Sequence, residues 1–120
     1  MKTKLLGRQG EAMAAELLRK KGYQIIGMNY KTRFGEIDLI AEDRDHIVFV
    51  EVKLRRDRRF AEAREFVDPR KIERIKTTAE IWLSQNETEK RARFDVVEIY
   101  FSGEGGPEKE EIIHLEDAFQ

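Results

Sequence analysis

A chain of 120 residues is long enough for one compact domain with its own core and too short for two ordinary ones. Its apolar 40% contains no run near the ~20 residues that span a bilayer and no secretory-type N-terminal stretch, so a cytoplasmic protein with no membrane partner is expected. Without cysteine, and with only His46 and His114, any bound metal must rely on carboxylates and so be a hard cation such as magnesium or manganese, while the formal charge of −1 leaves polyanion binding open because the charge is unevenly distributed.

The first element, GRQGEAMAAELLRKKGY, reads as a helix. Glu11, Ala14 and Leu18 recur at i, i+3 and i+7 with Leu17 beside them, Arg19 to Lys21 collect in the last turn, and Gly22 stops it. Strands follow at YQIIGMNYK, at Phe34 to Ala41 and at Ile47 to Leu54; the polar EDRD between the last two is too short for a crossover and reads as a hairpin turn. A charged loop or short helix through RRDRRFAEAREFV leads to a second helix, DPRKIERIKTTAEIWLSQ. Here Asp68 suits the N-cap, Pro69 the first turn, and Ile72, Ile75, Ala79 and Trp82 the buried stripe. RFDVVEIYF is a fourth strand and EIIHL a short fifth. The order is αβββαβ plus one strand: an α/β domain over residues 1–120, its mixed central sheet flanked by helices, with a flexible acidic segment from about residue 103.

Charge follows this order. Lys53 to Lys76 holds ten Lys/Arg against five Asp/Glu, whereas Gly103 to Gln120 holds one Lys against six Asp/Glu. A basic middle following a carboxylate-bearing hairpin fits a polyanion partner; solvation alone accounts for the acidic end.

The hairpin concentrates the chemistry. Alternation puts Glu36, Asp38 and Ile40 on one face, and Glu51 and Lys53 with Ile47 and Phe49. If Glu42 pairs with Ile47, opposite residues sum to 89 and Asp38 faces Glu51, with Cβ atoms roughly 5 Å apart. Two carboxylates so close repel unless a cation lies between them. Lys53, roughly 6 to 7 Å along the same face, would orient water or stabilise charge on a phosphate under attack. A one-residue slip removes the pairing. The competing reading is an exposed sheet face with an ordinary Glu–Lys pair, worth less than ~1 kcal/mol; for the basic run it is a solvated surface.

Asp38 with Glu51-Val52-Lys53 resembles the PD-(D/E)XK nuclease signature, and the element order resembles the restriction-endonuclease-like core. Through Gly10-Glu11, Asn29, GEIDLIA, FVEVK and RFDVV, from about Gly7 to Val97, the chain is most similar to the YraN-like family of predicted bacterial endonucleases; archaeal Holliday-junction resolvases are similar in their first-helix glutamate and Asp, Glu-X-Lys order. The resemblance implies Asp38, Glu51 and Glu11 as ligands of Mg2+ or Mn2+ and catalytic groups, Lys53 as the catalytic lysine, and DNA as partner. Arg55, Arg56, Arg58, Arg70, Lys71 and Arg74 are then the expected phosphate contacts. Ile37 stands at the motif's proline, and Leu54-Arg55 and Phe60-Ala61 replace the family's Thr-Arg and Phe-Gly. By analogy with the resolvases, a homodimer would suit branched DNA. The alternatives are a catalytically silent nucleic-acid-binding module on the same fold and a protein-interaction domain that uses the acidic end.

Overall fold

The computed structural model describes residues 2–55, 68–100 and 111–120. Its elements are α1 (Lys2–Lys20), β1 (Gln24–Thr32), β2 (Gly35–Glu42), β3 (His46–Arg55), α2 (Pro69–Gln85), β4 (Arg91–Tyr100) and β5 (Glu111–Leu115). The charged segment after β3, with Arg56 and Arg58, lies outside the described residues, as does the stretch between β4 and β5.

One sheet runs in the order β1-β2-β3-β4-β5. Only β3 and β4 pair in parallel, since α2 carries the chain back across the sheet between them. The result is a mixed α/β fold with the architecture of a restriction-endonuclease-like core. A helix covers each face. Ala14, Ala15 and Leu18 of α1 bury against Leu39, Ala41, Val48, Val50, Val97 and Ile99. On the other face, Ile75 and Ala79 of α2 pack with Ile37, Ile40, Ile47 and Phe49, with Trp82 at their edge. None of the described helices is long and apolar enough to cross a membrane.

α1 ends and α2 begins where the sequence places its signals. After α1 the amides of Gly22 and Tyr23 bond back to the carbonyls of Arg19 (3.0 Å) and Leu18 (2.9 Å), a closure that needs the left-handed backbone Gly22 adopts at φ 99°. Asp68 caps α2 by accepting the Arg70 amide at 2.7 Å, with Pro69 following it. α1 starts earlier than expected, at Lys2 rather than near Gly7.

The hairpin takes the register that sums to 89, from Glu42↔Ile47 to Leu39↔Val50. Asp43 fixes it: one carboxylate oxygen accepts the amides of Asp45 (2.9 Å) and His46 (2.7 Å), closing the loop locally. At the C-terminal end, β5 pairs with β4 and the Ala118 amide bonds to the Phe94 carbonyl at 2.7 Å, which ties down residues 111–118.

Candidate functional site: the splayed end of the central hairpin

The β2–β3 ladder stops at Leu39↔Val50, one pair short of Asp38 and Glu51. There the strict alternation also fails: Ile37 joins the cluster under α2, whereas Leu39 joins the one under α1. The strands separate, and Asp38 fills the gap by accepting the Val52 amide at 2.8 Å, a ladder donor that has lost its strand partner. The carboxylate is thereby held at the mouth of a cleft of about 670 Å³.

Four elements line this cleft: Gly7 and Glu11 from α1, Glu36 and Asp38 from β2, Glu51 and Lys53 from β3, and Arg70, Lys71 and Arg74 from α2. α1 reaches it because Gly10 has no side chain. A Cβ there would collide with Leu54 on β3, so glycine lets the helix approach and presents the next residue, Glu11, to the cleft. Glu11 accepts a hydrogen bond from the Asn29 side chain at 3.1 Å. Asn29 takes a left-handed conformation, φ 53°, which asparagine tolerates better than most residues. Its neighbours Met28 and Tyr30 pair with Leu39 and Ile37, so it flanks Asp38 from the β1 side.

Glu51 is only 5% exposed and has two cations on it: Lys53 at 3.5 Å and Lys71 in direct contact. Burial and the Glu51 charge push Asp38 up to about 7, the cost of ionising one carboxylate close to another away from water. Burial and the Lys71 charge lower the Lys53 ammonium below its ordinary range, although Glu51 opposes this. Burial also acts to lower Lys71, but its hydrogen bond to Glu51 and that carboxylate's charge outweigh it and raise the group. Chemically, this is a buried carboxylate, Glu51, close to a partly buried one, Asp38, with an ammonium of reduced proton affinity alongside.

Asp38 has a consequence for stability. Its folded pKa lies above the ordinary 3.8, so between pH ~4 and ~7 the native state binds more protons than the unfolded chain, and stability falls as pH rises through that window. In chelator, Asp38→Asn is expected to flatten this slope and to be more stable than wild type at pH 8 by ~1–2 kcal/mol, the shift being discounted for partial exposure. Denaturant titrations at pH 5 and pH 8 measure it. A variant less stable than wild type at both would refute the crowding.

The expected phosphate contacts separate. Arg70 and Arg74 line the cleft and are exposed. Lys71 lines it too, but turned onto Glu51. Arg55 departs from expectation: its guanidinium, only 10% exposed, bonds to Glu98 at 2.9 Å, and Tyr100 donates to the same carboxylate at 3.0 Å. Glu98 lies beside Lys53 in the β3–β4 register. Arg55 therefore serves the sheet's interior, a role hidden from a sequence reading because its partner is on a strand more than forty residues away. Glu98 and the Lys71–Glu51 contact were likewise missed; a glutamate amid DVVEIY, in an otherwise buried strand, was the available signal.

A restriction-endonuclease-like core with an open, carboxylate- and cation-lined cleft where its central hairpin splays is the class that fold and site define. Within it, the chain belongs to the uncharacterised protein family UPF0102, whose model matches residues 10–99. It is 48% identical over 115 residues to a UPF0102 protein of Syntrophomonas wolfei, covering 95% of this chain and 96% of that one. It is also 42% identical over 120 residues to one from Caldanaerobacter subterraneus (97% and 95% covered) and 43% identical over 100 residues to one from Vibrio parahaemolyticus (82% and 83% covered).

Proposed function

We propose that this protein is a magnesium- or manganese-dependent nuclease of the PD-(D/E)XK type that hydrolyses DNA phosphodiester bonds, with branched or repair and recombination intermediates as its substrates. The observation that carries the reading is the crowding of Asp38 and Glu51 at the point where the ladder ends, with Lys53 two residues beyond on the same strand.

The donor set fits a hard divalent cation. The Glu51 charge raises the cost of ionising Asp38, and a cation between the two carboxylates would relieve it. Asp38 and Glu51 would hold it, and Glu11, now bonded to Asn29, would assist from α1. When bound, such an ion supplies Lewis-acid polarisation of a phosphate. The chain's own groups do the rest. Lys53, with its lowered proton affinity, orients the attacking water and steadies charge growing on the phosphate. Arg70 and Arg74 hold flanking phosphates along the α2 side of the cleft. A symmetric pair of such sites would allow two strands of a branched substrate to be cut.

A second reading, a DNA-binding module without turnover, is favoured by one specific observation. Lys53 and Lys71 both occupy Glu51, and among the described residues no three acidic or histidine groups are gathered as a metal site. Manganese-dependent cleavage of a panel of linear, single-stranded, flapped and four-way DNA, with Glu51→Ala from the same purification alongside, separates the two. Cleavage lost in the variant supports the nuclease; binding with no product, or equal product from both proteins, supports the module.

A further inference from the structure

The β1–β2 turn supplies a feature the proposed chemistry does not use. β1 ends at Thr32 and β2 starts at Gly35, so Arg33 and Phe34 are the two central residues of the turn, and Phe34 is not the first strand residue expected from its sequence. Phe34 is 43% exposed, and the Arg33 guanidinium lies over its ring, 4.8 Å from the centroid.

Single exposed apolar residues are ordinary, but this one is fixed in place beside the cleft. The Phe34 amide bonds to the Thr32 hydroxyl at 3.1 Å, and that hydroxyl meets Thr78 of α2 at 3.4 Å. Gly35 packs so closely on α2 that a Cβ would lie 3.1 Å from the Thr78 hydroxyl and 3.2 Å from Arg74. Gly35 and the next residue, Glu36, line the cleft together with Arg70 and Arg74. A rigid turn thus holds an aromatic ring and a cation at the rim of a cleft whose α2 wall is cationic. A purely aliphatic partner would gain nothing from the arginines, and a regular duplex hides its base faces. An unpaired base offers both a flat face and an adjoining phosphate.

We infer that Phe34 is a stacking platform for an unpaired base at the cleft's rim, with Arg33 contacting the flanking phosphate, so that the preferred DNA carries a single-stranded arm next to the site. The inference rests on the nucleic-acid reading of the cleft and extends it to substrate class. Stacking accepts any base, so selectivity is for strand state and not for sequence.

The test uses the full chain without divalent metal and a flapped oligonucleotide with 2-aminopurine at successive positions of its single-stranded arm, against a blunt duplex. Wild type should quench 2-aminopurine at one or two positions near the branch. Phe34→Ala should lose that quench and bind the flapped DNA about tenfold more weakly, with duplex affinity within about twofold. Phe34→Tyr should restore both, whereas Phe34→Leu should behave as alanine, separating stacking from bulk. Equal weakening on flapped and duplex DNA, unchanged quench in Phe34→Ala, or no DNA binding by wild type would overturn the inference. Quench and selectivity without any manganese-dependent product would instead count against the nuclease alone, and cleavage with no Phe34 effect would count against the platform alone.

Discussion

Lys53→Ala is expected to lower manganese-dependent cleavage by about 10²- to 10³-fold while DNA affinity, measured without catalysis, changes by no more than a few-fold. The size follows from what is removed, a charge-stabilising and water-orienting ammonium at a reacting phosphate, for which losses of that order are typical. Selectivity for rate over binding follows from position: Lys53 contacts Glu51, while the exposed Arg70 and Arg74 on α2 remain for phosphate. Lys53→Met keeps most of the volume and should fail equally. Lys71→Ala is the informative companion, because Lys71 also holds Glu51 but stands on α2; its loss should alter the metal concentration needed for cleavage more than the maximal rate. Equal cleavage by Lys53→Ala and wild type would reject the assignment. Parallel loss of binding and cleavage would make Lys53 a phosphate contact only.

The largest stability effect is expected away from the cleft, at Asp95. This carboxylate is fully buried on β4 and ties that strand to β5 and to the residues just beyond it. Arg93 reaches both its oxygens (2.9 and 2.8 Å) and also Tyr23 at the head of the sheet (2.6 Å); His114 of β5 bonds to it at 2.7 Å, and the Asp117 amide at 3.0 Å. Lys21, just past α1, lies 2.9 Å from the other His114 nitrogen. An ammonium can only donate, so in this arrangement that nitrogen accepts and the opposite N–H donates to Asp95. Asp95→Ala would take from the largely covered Arg93 guanidinium its two-oxygen partner, leaving it Tyr23 and a 3.7 Å pairing with the exposed Glu116, and would leave the His114 ring without its acceptor. A loss of about 3–5 kcal/mol is expected, a large share of the ~5–15 kcal/mol that holds a domain of this size. Urea titration at pH 7 measures it; a loss under ~1 kcal/mol would show the network to be incidental.

Acid provides a second readout of the same group. Burial opposes its ionisation, but the hydrogen bonds from His114 and Arg93 prevail and bring Asp95 down to about 2, below its ordinary 3.8. A depressed carboxylate contributes stability that is complete above pH ~4 and is lost as pH falls towards ~2, here roughly 2 kcal/mol. Asp95→Asn should lack that acid-dependent portion. Asp38 slopes the opposite way between pH ~4 and ~7, so the two are separable in one pH series.

The order of elements was legible in the sequence because local signals set it. Asp68-Pro69 and Gly22 bound the helices, and the apolar periods of the helix faces and strands mark what they bury. The register that draws Asp38 towards Glu51 was one of those the sequence left open, and the hydrogen bonds Asp43 makes within the short loop select it. What the sequence could not decide was which of its many charges would face one another. Arg55 and Lys71 look alike as members of one basic run, yet the parallel β3–β4 pairing gives Arg55 to Glu98, and the packing of α2 turns Lys71 onto Glu51. Asp95 gathers Arg93, His114 and the Asp117 amide, and through Arg93 reaches Tyr23, partners that no local pattern in the sequence brings together. The physical reason is range. Capping, alternation and turn closure act within a few residues, whereas an ion pair depends on where two distant backbones are brought together, and that is settled only when both faces of the sheet are covered.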